Sequence, residues 1–449
     1  MPNAYLSPGV YVQEIPSAVQ AIAGVGTSTA GFLAIVPDTV SIPERNPDYD
    51  PAAAMASAVA PSPVTKASSK AGDDGAKSSE EAKGSDGPTP PLKSVVGAAP
   101  DKTSRFLLRV FPIAAPAGEP RLFTNFAEFK QSYGDFSTDP EHNMLVHAVF
   151  GFFNNGGTRL YVTRMVSTVQ LNSSLQALES VDEIAIVAAP GITDTAVRAA
   201  LVAHCDATGN RFAIMDTPET VNTIDASLLP DGSKNAAVYF PWVQVFDPGV
   251  KTRYPDGPGL TFVPPSGHMA GIYARTDSSR GVHKAPANEV VLGALGLKYP
   301  IRKSQQDGLN NVGVNCIRSL NGNIRVWGAR TIGGDRNGEW RYINVRRTAL
   351  FLYKSIDEGT QWVVFEPNDL SLWAKITRNV TAFLTTVWRD GALFGATAAE
   401  AFYVKCDRET NPPELRELGQ VVTEIGVAIV RPAEFVVFRL SQWTGPQGQ

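Results

Sequence analysis

The sequence predicts a multi-domain protein of mixed class, with both α/β and α+β character. Three observations lead to this fold class. The chain has 449 residues, which is long enough for two or three domains with cores of their own. Its middle part alternates strand-like and helix-like segments, which favours an α/β layer with parallel strands. Its last third carries short strands around two amphipathic helices, and strand-prone runs lie near both ends.

The first strand-prone run, residues 10–15, has no neighbouring strand in the sequence. A Ser-Pro-Gly turn precedes it and Pro16 follows it. An isolated strand is unstable in water, and its unpaired backbone groups attract other chains. The run therefore either returns to its own domain or pairs with another subunit.

The composition changes sharply between about residues 43 and 100. This stretch contains almost no large apolar residues, so it cannot drive its own collapse. We interpret it as a solvated surface loop inserted into a domain. A dedicated partner-binding segment is the alternative.

Regular structure is predicted again from residue 106 onward. The periodicity of apolar residues and the capping signals predict strands at 106–114, 158–165, 183–188 and 211–215, and helices at 125–133, 144–153, 194–207 and 268–276. The strand–helix–strand order at 183–216 is the clearest indication of parallel pairing.

The C-terminal third is the most strongly patterned part of the chain. Strands are predicted at 312–318, 324–329 and 340–343, followed by a helix at 344–357 and a longer one at 368–390. The longer helix has an apolar stripe formed by Leu370, Trp373, Thr377, Val380, Leu384 and Val387. Strands at 402–406, 421–430 and 434–440 are predicted after it. The last of these alternates apolar residues on both faces, so both faces are expected to be buried.

Composition and charge argue against several classes of protein. The formal net charge is −4, and the sequence lacks the basic domain or stripe typical of a nucleic-acid binder. Three cysteines lie far apart in sequence, which fits buried thiols in a reducing compartment. The sequence contains neither an apolar run of about 18 residues nor a secretory signal at its start. We therefore expect a protein that is made and folded in the cytosol and does not insert into a membrane.

The sequence also offers little chemistry for an enzyme. The Gly-rich stretch at 24–31 resembles a dinucleotide fingerprint only loosely, because its third glycine is misplaced and no helical pattern follows. The five histidines have no zinc-helix spacing, and no G-x-S-x-G elbow is present. We expect no catalytic site, no metal and no cofactor. The alternative from another class is an α/β enzyme that binds a cofactor at 183–216.

Several longer segments resemble one protein family. They are YLSPGVYVQEI at 5–15, FFNNGGTRLYVTRM at 152–165, GVNCIRSLNGNIRVWGARTIGGDRNGEWRYINVRR at 313–347, WVVFEPNDLSLWAKITRNVTAFLTTVWRDGALFG at 362–395, and two parts of residues 401–442, AFYVKCDRETNP and IGVAIVRPAEFVVFRLSQ. In this order they resemble contractile tail sheath proteins of contractile phages and phage-like contractile injection systems. Residues 166–300 match only in general layout, and residues 43–100 depart from the common core.

The resemblance implies a structural subunit that polymerises as stacked hexameric rings around an inner tube. The polymer would contract from a metastable extended state and drive the tube through a target envelope. The implied partners are further copies of the chain, an inner tube protein, and baseplate and terminal cap proteins. The particle would be assembled in the bacterial cytoplasm, as part of a phage tail or of an injection particle that is released or anchored to a membrane by other components.

The resemblance also implies a C-terminal core domain whose sheet is completed by terminal strands exchanged between subunits, with an inserted outer domain. The expected division is an N-terminal exchange arm (1–20), the start of the core (21–42 and 101–120), the polar insertion (43–100), one or more middle α/β domains (121–310), the C-terminal core domain (311–432) and a C-terminal exchange arm (433–449). The expected exchange residues are Val10, Tyr11, Val12, Ile15, Phe435, Val436, Phe438 and Leu440. The chain is expected to be flexible next to these arms, at Pro16 and at Arg431-Pro432.

Charged residues of the C-terminal third are candidates for contacts between proteins. The resemblance points to the long helix as the tube-facing element, where Lys375 and Arg378 would meet an acidic tube surface. Ordinary solvated helix charges are the alternative. Arg346, Arg347 and Asp369 are further candidates, for an ion-pair network between subunits.

Overall fold

The structure is a computed structural model that describes residues 21–59, 102–229, 232–437 and 439. The predicted N-terminal exchange residues Val10, Tyr11, Val12 and Ile15 lie outside the described residues. Phe438 and Leu440 also lie outside them, as do residues 60–100 of the predicted insertion at 43–100.

The strands fall into one large sheet and three small ones. In chain order they are β1 (Ala30–Ile35), β2 (Thr39–Arg45), β3 (Phe106–Pro112), β4 (Pro120–Phe123), β5 (Leu160–Met165), β6 (Ile186–Ala188), β7 (Phe212–Asp216), β8 (Ala236–Phe240), β9 (Val243–Phe246), β10 (Leu260–Val263), β11 (Gly296–Leu297), β12 (Val314–Leu320), β13 (Asn323–Val326), β14 (Phe402–Lys405) and β15 (Glu424–Val427).

The helices surround these sheets. They are α1 (Pro51–Val59), α2 (Phe126–Tyr133), α3 (Pro140–Asn154), α4 (Leu171–Glu179), α5 (Thr195–Thr208), α6 (Pro248–Arg253), α7 (Ser266–Arg280), α8 (Lys303–Val312), α9 (Ile343–Thr360), α10 (Leu370–Arg389), α11 (Ala398–Ala401) and α12 (Pro413–Glu417).

The large sheet has eight strands in the order β13-β12-β8-β7-β6-β1-β5-β4. Its six central strands run parallel, and the two edge strands, β13 and β4, are antiparallel to their neighbours. The predicted parallel pairing at 183–216 is confirmed, because β6 and β7 pair in parallel with Ile186 opposite Phe212. The mixed α/β class is therefore confirmed. We call this sheet and its flanking helices the α/β unit.

Helices cover both faces of the large sheet, and the strand residues alternate between the two cores. Phe212 and Ile214 face the core shared with α2, α3 and α7, whereas Ala213 and Met215 face the core shared with α4, α5 and α8. This double cover explains why the central strands are apolar on both faces.

Helices α3 and α7 approach each other unusually closely. A Cβ atom built on Gly267 would lie 2.5 Å from the Ala148 carbonyl oxygen, and one on Gly271 would lie 2.4 Å from the Phe152 carbonyl oxygen. Both distances are too short for a real side chain, so glycine is required at these two contacts.

A second core is formed by the C-terminal third, which we call the C-terminal unit. It joins α9, α10 and the β14–β15 pair, and Ile22 from the start of the described chain is buried in it. Helix α10 begins after Asp369, whose side chain accepts a hydrogen bond of 2.8 Å from the Leu372 N–H, as an N-cap residue does. Of its predicted apolar stripe, Trp373, Val380, Leu384 and Val387 are buried, but Leu370 is 55% exposed.

Two predicted strands are wrong for the described residues. Residues 340–343 form the end of a 3₁₀ turn and the start of α9, with only an isolated bridge between Tyr342 and Arg330. Residues 434–437 are not in a strand, and they are not buried on both faces. The predicted surface loop also begins later than expected, because β2 continues to Arg45 and α1 occupies Pro51–Val59.

Candidate inter-subunit interface

The β14–β15 pair is a two-stranded sheet with open edges. The strands are antiparallel, with Phe402 opposite Val427 and Lys405 opposite Glu424. Among the described residues, neither strand pairs with a third strand. A two-stranded sheet is only marginally stable alone, and an open edge presents unpaired backbone groups to other chains. This sheet is therefore the natural place for an incoming strand.

An apolar groove lies beside the open edge. It has a volume of about 920 Å³ and lies between one face of α9 and the chain that continues β15. Its apolar lining includes Val345, Ala349, Leu352, Ile356, Val427 and Ile429. The groove can accept apolar side chains from a strand added at this edge.

The C-terminal segment, residues 431–437, leaves the C-terminal unit with its last three apolar side chains in solvent. Phe435, Val436 and Val437 are 73%, 67% and 79% exposed. Three consecutive apolar residues with this exposure are unusual on a soluble surface. Their pairing with another subunit stays a prediction.

Glu434 is the residue of this segment that forms the most hydrogen bonds to the rest of the subunit. Its carboxylate accepts two hydrogen bonds of 2.9 Å from Arg330, one from Nε and one from a terminal guanidinium nitrogen. It also accepts a 2.6 Å hydrogen bond from the Asn310 amide and a 2.9 Å bond from the Tyr342 hydroxyl. We call these four residues the anchor. Flexibility was predicted at Arg431-Pro432, but the anchor holds the chain three residues after Arg431.

The anchor is held together by charge. Burial by itself would raise the pKa of the Glu434 carboxyl, but the hydrogen bonds from Arg330, Asn310 and Tyr342 outweigh it and lower that pKa below its ordinary value. The Arg330 side chain is only 2% exposed, and its other terminal guanidinium nitrogen donates a 3.0 Å hydrogen bond to Asp335. Glu434 therefore stays ionised opposite a buried guanidinium.

The N-terminal end of the described chain is held in a similar way. Arg347 donates two hydrogen bonds to Asp277, at 2.8 and 2.6 Å, and a third of 2.9 Å to the Thr27 carbonyl. Its guanidinium lies 4.7 Å from the centre of the Tyr273 ring. Ile22, five residues before Thr27, is buried against the C-terminal unit.

These contacts correct the predicted ion-pair network between subunits. Arg347 is buried and paired with Asp277 of its own chain. Arg346 is buried as well, where its Nε donates a 2.6 Å hydrogen bond to Asn235. Asp369 is the N-cap of α10. Both arginines are occupied by contacts within the subunit, whereas Asp369 is exposed and a contact with another subunit stays a prediction.

The two predicted tube-contact residues lie on α10. Arg378 is exposed, Lys375 is half-buried, and neither forms an ion pair within the described part of the chain. Helix α10 contains no acidic residue, so its outer face is positively charged. The geometry leaves both cations available to a partner, and a tube contact stays a prediction.

The strand–helix–strand region at 183–216 contains one buried carboxylate, Asp216. It accepts hydrogen bonds from the Gly191 N–H at 3.0 Å, the Ser266 N–H at 2.8 Å and the Ser266 hydroxyl at 2.6 Å. Burial raises its pKa to about 6. The side chain ties β7 to the start of α7, and its acceptor positions are occupied by the protein itself.

The described residues contain no cluster of three or more His, Cys, Asp or Glu side chains that could hold a metal ion. In the same residues, no helix has both the length and the apolar character needed to cross a membrane.

Sequence reasoning missed both buried arginine contacts. One signal was available for Glu434, because it is the only acidic residue between positions 425 and 449 and it interrupts an apolar run. An isolated charge in such a run often has a buried partner. Its partner Arg330, more than a hundred positions earlier, had no comparable signal.

Comparisons with known proteins match most of this architecture. The family model for the phage tail sheath protein central domain matches residues 165–332, and that for the phage tail sheath C-terminal domain matches residues 335–442. A tail sheath protein of Burkholderia phage BcepMu is 26% identical over 214 residues. That match covers 46% of this chain and 42% of the relative, so the chain matches less than half the length of this curated relative.

Two solved structures share the fold over nearly the whole chain. The contracted sheath of the extracellular contractile injection system PVC is 24% identical, with a TM-score of 0.68 over 98% of each chain. The contracted helical sheath of the anti-feeding prophage is 25% identical, with a TM-score of 0.67 over 97% of this chain and 99% of that one.

Proposed function

The chain belongs to the phage tail sheath family, a family of structural proteins rather than enzymes, and from this premise we propose that it forms a contractile sheath. In this proposal, copies of the chain assemble as stacked hexameric rings around an inner tube. The sheath contracts from a metastable extended state and drives the tube through a target envelope. The observation that carries the proposal is the open two-stranded sheet beside an exposed apolar C-terminal segment.

The subunits are joined by exchanged strands. Residues 10–15, through Val10, Tyr11, Val12 and Ile15, and residues 435–440, through Phe435, Val436, Phe438 and Leu440, add to the β14–β15 sheets of neighbouring copies. Strand addition supplies main-chain hydrogen bonds for strength and alternate side chains for register. A head-to-tail contact that does not close produces a helical polymer. The groove of about 920 Å³ beside β15 would receive the apolar side chains of the added strand.

Contraction then needs no nucleotide. The extended lattice is a metastable packing, and each ring gains buried contact area when it contracts. Burial of roughly 300 Å² of apolar surface per subunit supplies about 7 kcal/mol at 25 cal/mol per Å². Summed over a tube, that free energy is sufficient for mechanical work. The transition is a repacking between two discrete arrangements that starts at one end and propagates.

The proposed partners follow from this architecture. They are other copies of the chain, an inner tube protein that meets Lys375 and Arg378, a baseplate and a terminal cap. One structural relative is a chain of the anti-feeding prophage baseplate, 25% identical with a TM-score of 0.64. Assembly takes place in the bacterial cytoplasm, and the product is a phage tail or a phage-like injection particle. The terminal arms, residues 1–20 and 433–449, and the polar insertion, which begins after α1 and extends to about residue 100, form separate parts of the subunit.

Deletion of residues 1–15 tests the proposal. The variant is expected to fold, because the described core begins at residue 21, but to remain unpolymerised under negative-stain electron microscopy. Deletion of residues 67–81, an equal length of the predicted surface loop, is the matched control and should leave long striated tubes. Tubes formed by the 1–15 deletion would contradict the exchange of the N-terminal arm.

A further inference from the structure

We propose that Arg330 and Glu434 are positioning residues that fix where the C-terminal arm leaves the subunit, so that the arm pulls on the α/β unit instead of on the small β14–β15 sheet. The inference rests on the proposed strand exchange and adds a fixed attachment point to it.

The exposure of the chain changes abruptly at Glu434. The Glu434 side chain is 19% exposed and makes hydrogen bonds to three residues, whereas Phe435 is 73% exposed. A bidentate Arg–carboxylate pair fixes both the position and the direction of the carboxylate. Among the described residues, the chain therefore has its last buried polar contacts at Glu434, and the apolar side chains of Phe435, Val436 and Val437 are exposed directly after it.

The anchor is connected to β12, the second strand from one edge of the large sheet. The Arg330 N–H donates to the Asn315 side chain at 2.8 Å, and the Asn315 amide donates to the Arg330 carbonyl at 2.8 Å and to the Val238 carbonyl at 3.2 Å. Asn315 lies in β12 and is fully buried. A force on Glu434 is consequently transmitted to β12 and β8 of the α/β unit.

The chain before the anchor is held by a few hydrogen bonds. Between β15 and Glu434 the backbone bonds to residues 392–394 include Phe394 N–H to Ala428 O at 2.7 Å and Val430 N–H to Ala392 O at 3.2 Å. The Ala428 N–H also donates to the Ala401 carbonyl at 2.9 Å, and the Asn344 amide donates to the Val430 carbonyl at 3.2 Å. The net contribution of each such bond to stability is small, because the same groups bond to water when they separate.

Without the anchor, a force on the arm would act directly on residues 428–430 and separate them from residues 392–394. The β14–β15 sheet that receives a neighbouring strand would then be disturbed. The anchor separates the donated strand from the receiving sheet of the same subunit.

The start of the described chain is also held by a buried arginine. Arg347 holds Asp277 and the Thr27 carbonyl, and Thr27 itself donates a 2.6 Å hydrogen bond to Asp277 through its hydroxyl. Both ends of the described chain are thus held by buried arginines from one stretch, residues 330–347, which joins the α/β unit to α9.

Hydrogen exchange on assembled tubes, measured by mass spectrometry, tests the role of the anchor. Glu434→Gln keeps the shape of the side chain and removes its charge, and about tenfold faster exchange is expected in peptides covering residues 428–434. Exchange in peptides covering α10 and residues 435–440 should stay at the wild-type rate, because a positioning role does not unfold either segment. Glu119→Gln is the matched control, since Glu119 is exposed next to β4 at the opposite edge of the large sheet, and it should leave all peptides unchanged.

The outcomes separate this inference from the proposed function. Wild-type chain that forms no tubes would contradict the sheath proposal itself. Wild-type and Glu434→Gln tubes with equal exchange at 428–434 would overturn the anchor while leaving the sheath intact. If Glu434→Gln fails to assemble, exchange in the unpolymerised chain decides: faster exchange confined to 428–434 supports the anchor, and faster exchange that also includes α10 overturns it.

Discussion

At the scale of single residues, the charged side chains divide into two groups with different roles. Arg330 and Arg347 are buried and paired with carboxylates of their own chain. Arg347 and Asp277 are both buried, so removal of one partner from that pair costs about 3–5 kcal/mol, because the other charge is left buried. Lys375 and Arg378 have no carboxylate partner in the described residues and are free to meet another protein.

The sequence could not distinguish these two groups. Arg346, Arg347, Lys375 and Arg378 all lie on predicted amphipathic helices, and only their position relative to the core decides their roles. Arg347 was expected to face another subunit, but it is turned toward Asp277, seventy positions earlier. Ion pairs between distant segments leave no periodic signal in the sequence.

Reversal of the two free charges tests the tube contact. Lys375→Glu combined with Arg378→Glu should reduce assembly of the sheath around its tube at least tenfold, because like charges would then face an acidic tube surface. Sheath-only tubes should form at the wild-type level. Both products are counted by negative-stain electron microscopy of particles reconstituted with and without the tube protein.

The matched control reverses two cations elsewhere. Lys234 and Arg336 are exposed on the α/β unit and lack ion pairs in the described part of the chain. Their double reversal should leave both products unchanged. Equal loss of tube-bound and sheath-only assembly in the α10 variant would remove the case for a tube contact.

At the scale of elements, helix capping and apolar periodicity predicted most of the α/β unit. The helix expected at 125–133 is α2, whose N-cap Asn125 accepts a 2.9 Å hydrogen bond from the Glu128 N–H. The secondary-structure predictions were wrong where contacts with distant residues determine the backbone conformation. Residues 340–343 read as a strand, but the Trp340 carbonyl accepts a hydrogen bond from the Thr331 hydroxyl at 2.9 Å, and Arg346 lies 4.9 Å from the Trp340 ring.

The close α3–α7 contact gives a prediction at this scale. Gly271→Ala should lower the free energy of unfolding of the α/β unit by about 2 kcal/mol or more, because the new Cβ would lie 2.4 Å from the Phe152 carbonyl oxygen. Urea unfolding followed by circular dichroism measures the change.

The same substitution in α8 is the control and should act in the opposite direction. A Cβ on Gly308 would meet no atom within 4 Å, so Gly308→Ala should stabilise the chain by about 0.5–1 kcal/mol. Two equal shifts would mean that helix propensity, and not the α3–α7 approach, dominates at Gly271.

At the scale of the whole molecule, the C-terminal unit of an isolated chain is incomplete. Its two-stranded sheet has open edges, a groove lies beside β15, and the C-terminal segment projects apolar side chains into solvent. The sequence indicated this incompleteness through strand-prone runs near both ends. It could not indicate the anchor at Glu434, because that contact depends on the path of residues 310–342 in three dimensions.

A density map of the assembled tube, at a resolution that shows side chains, tests the central claim most directly. The account predicts that residues 10–15 and 435–440 lie as strands against the β14–β15 sheets of neighbouring subunits, with Glu434 on Arg330 of its own chain. A map in which both terminal segments pair within their own subunit would contradict it.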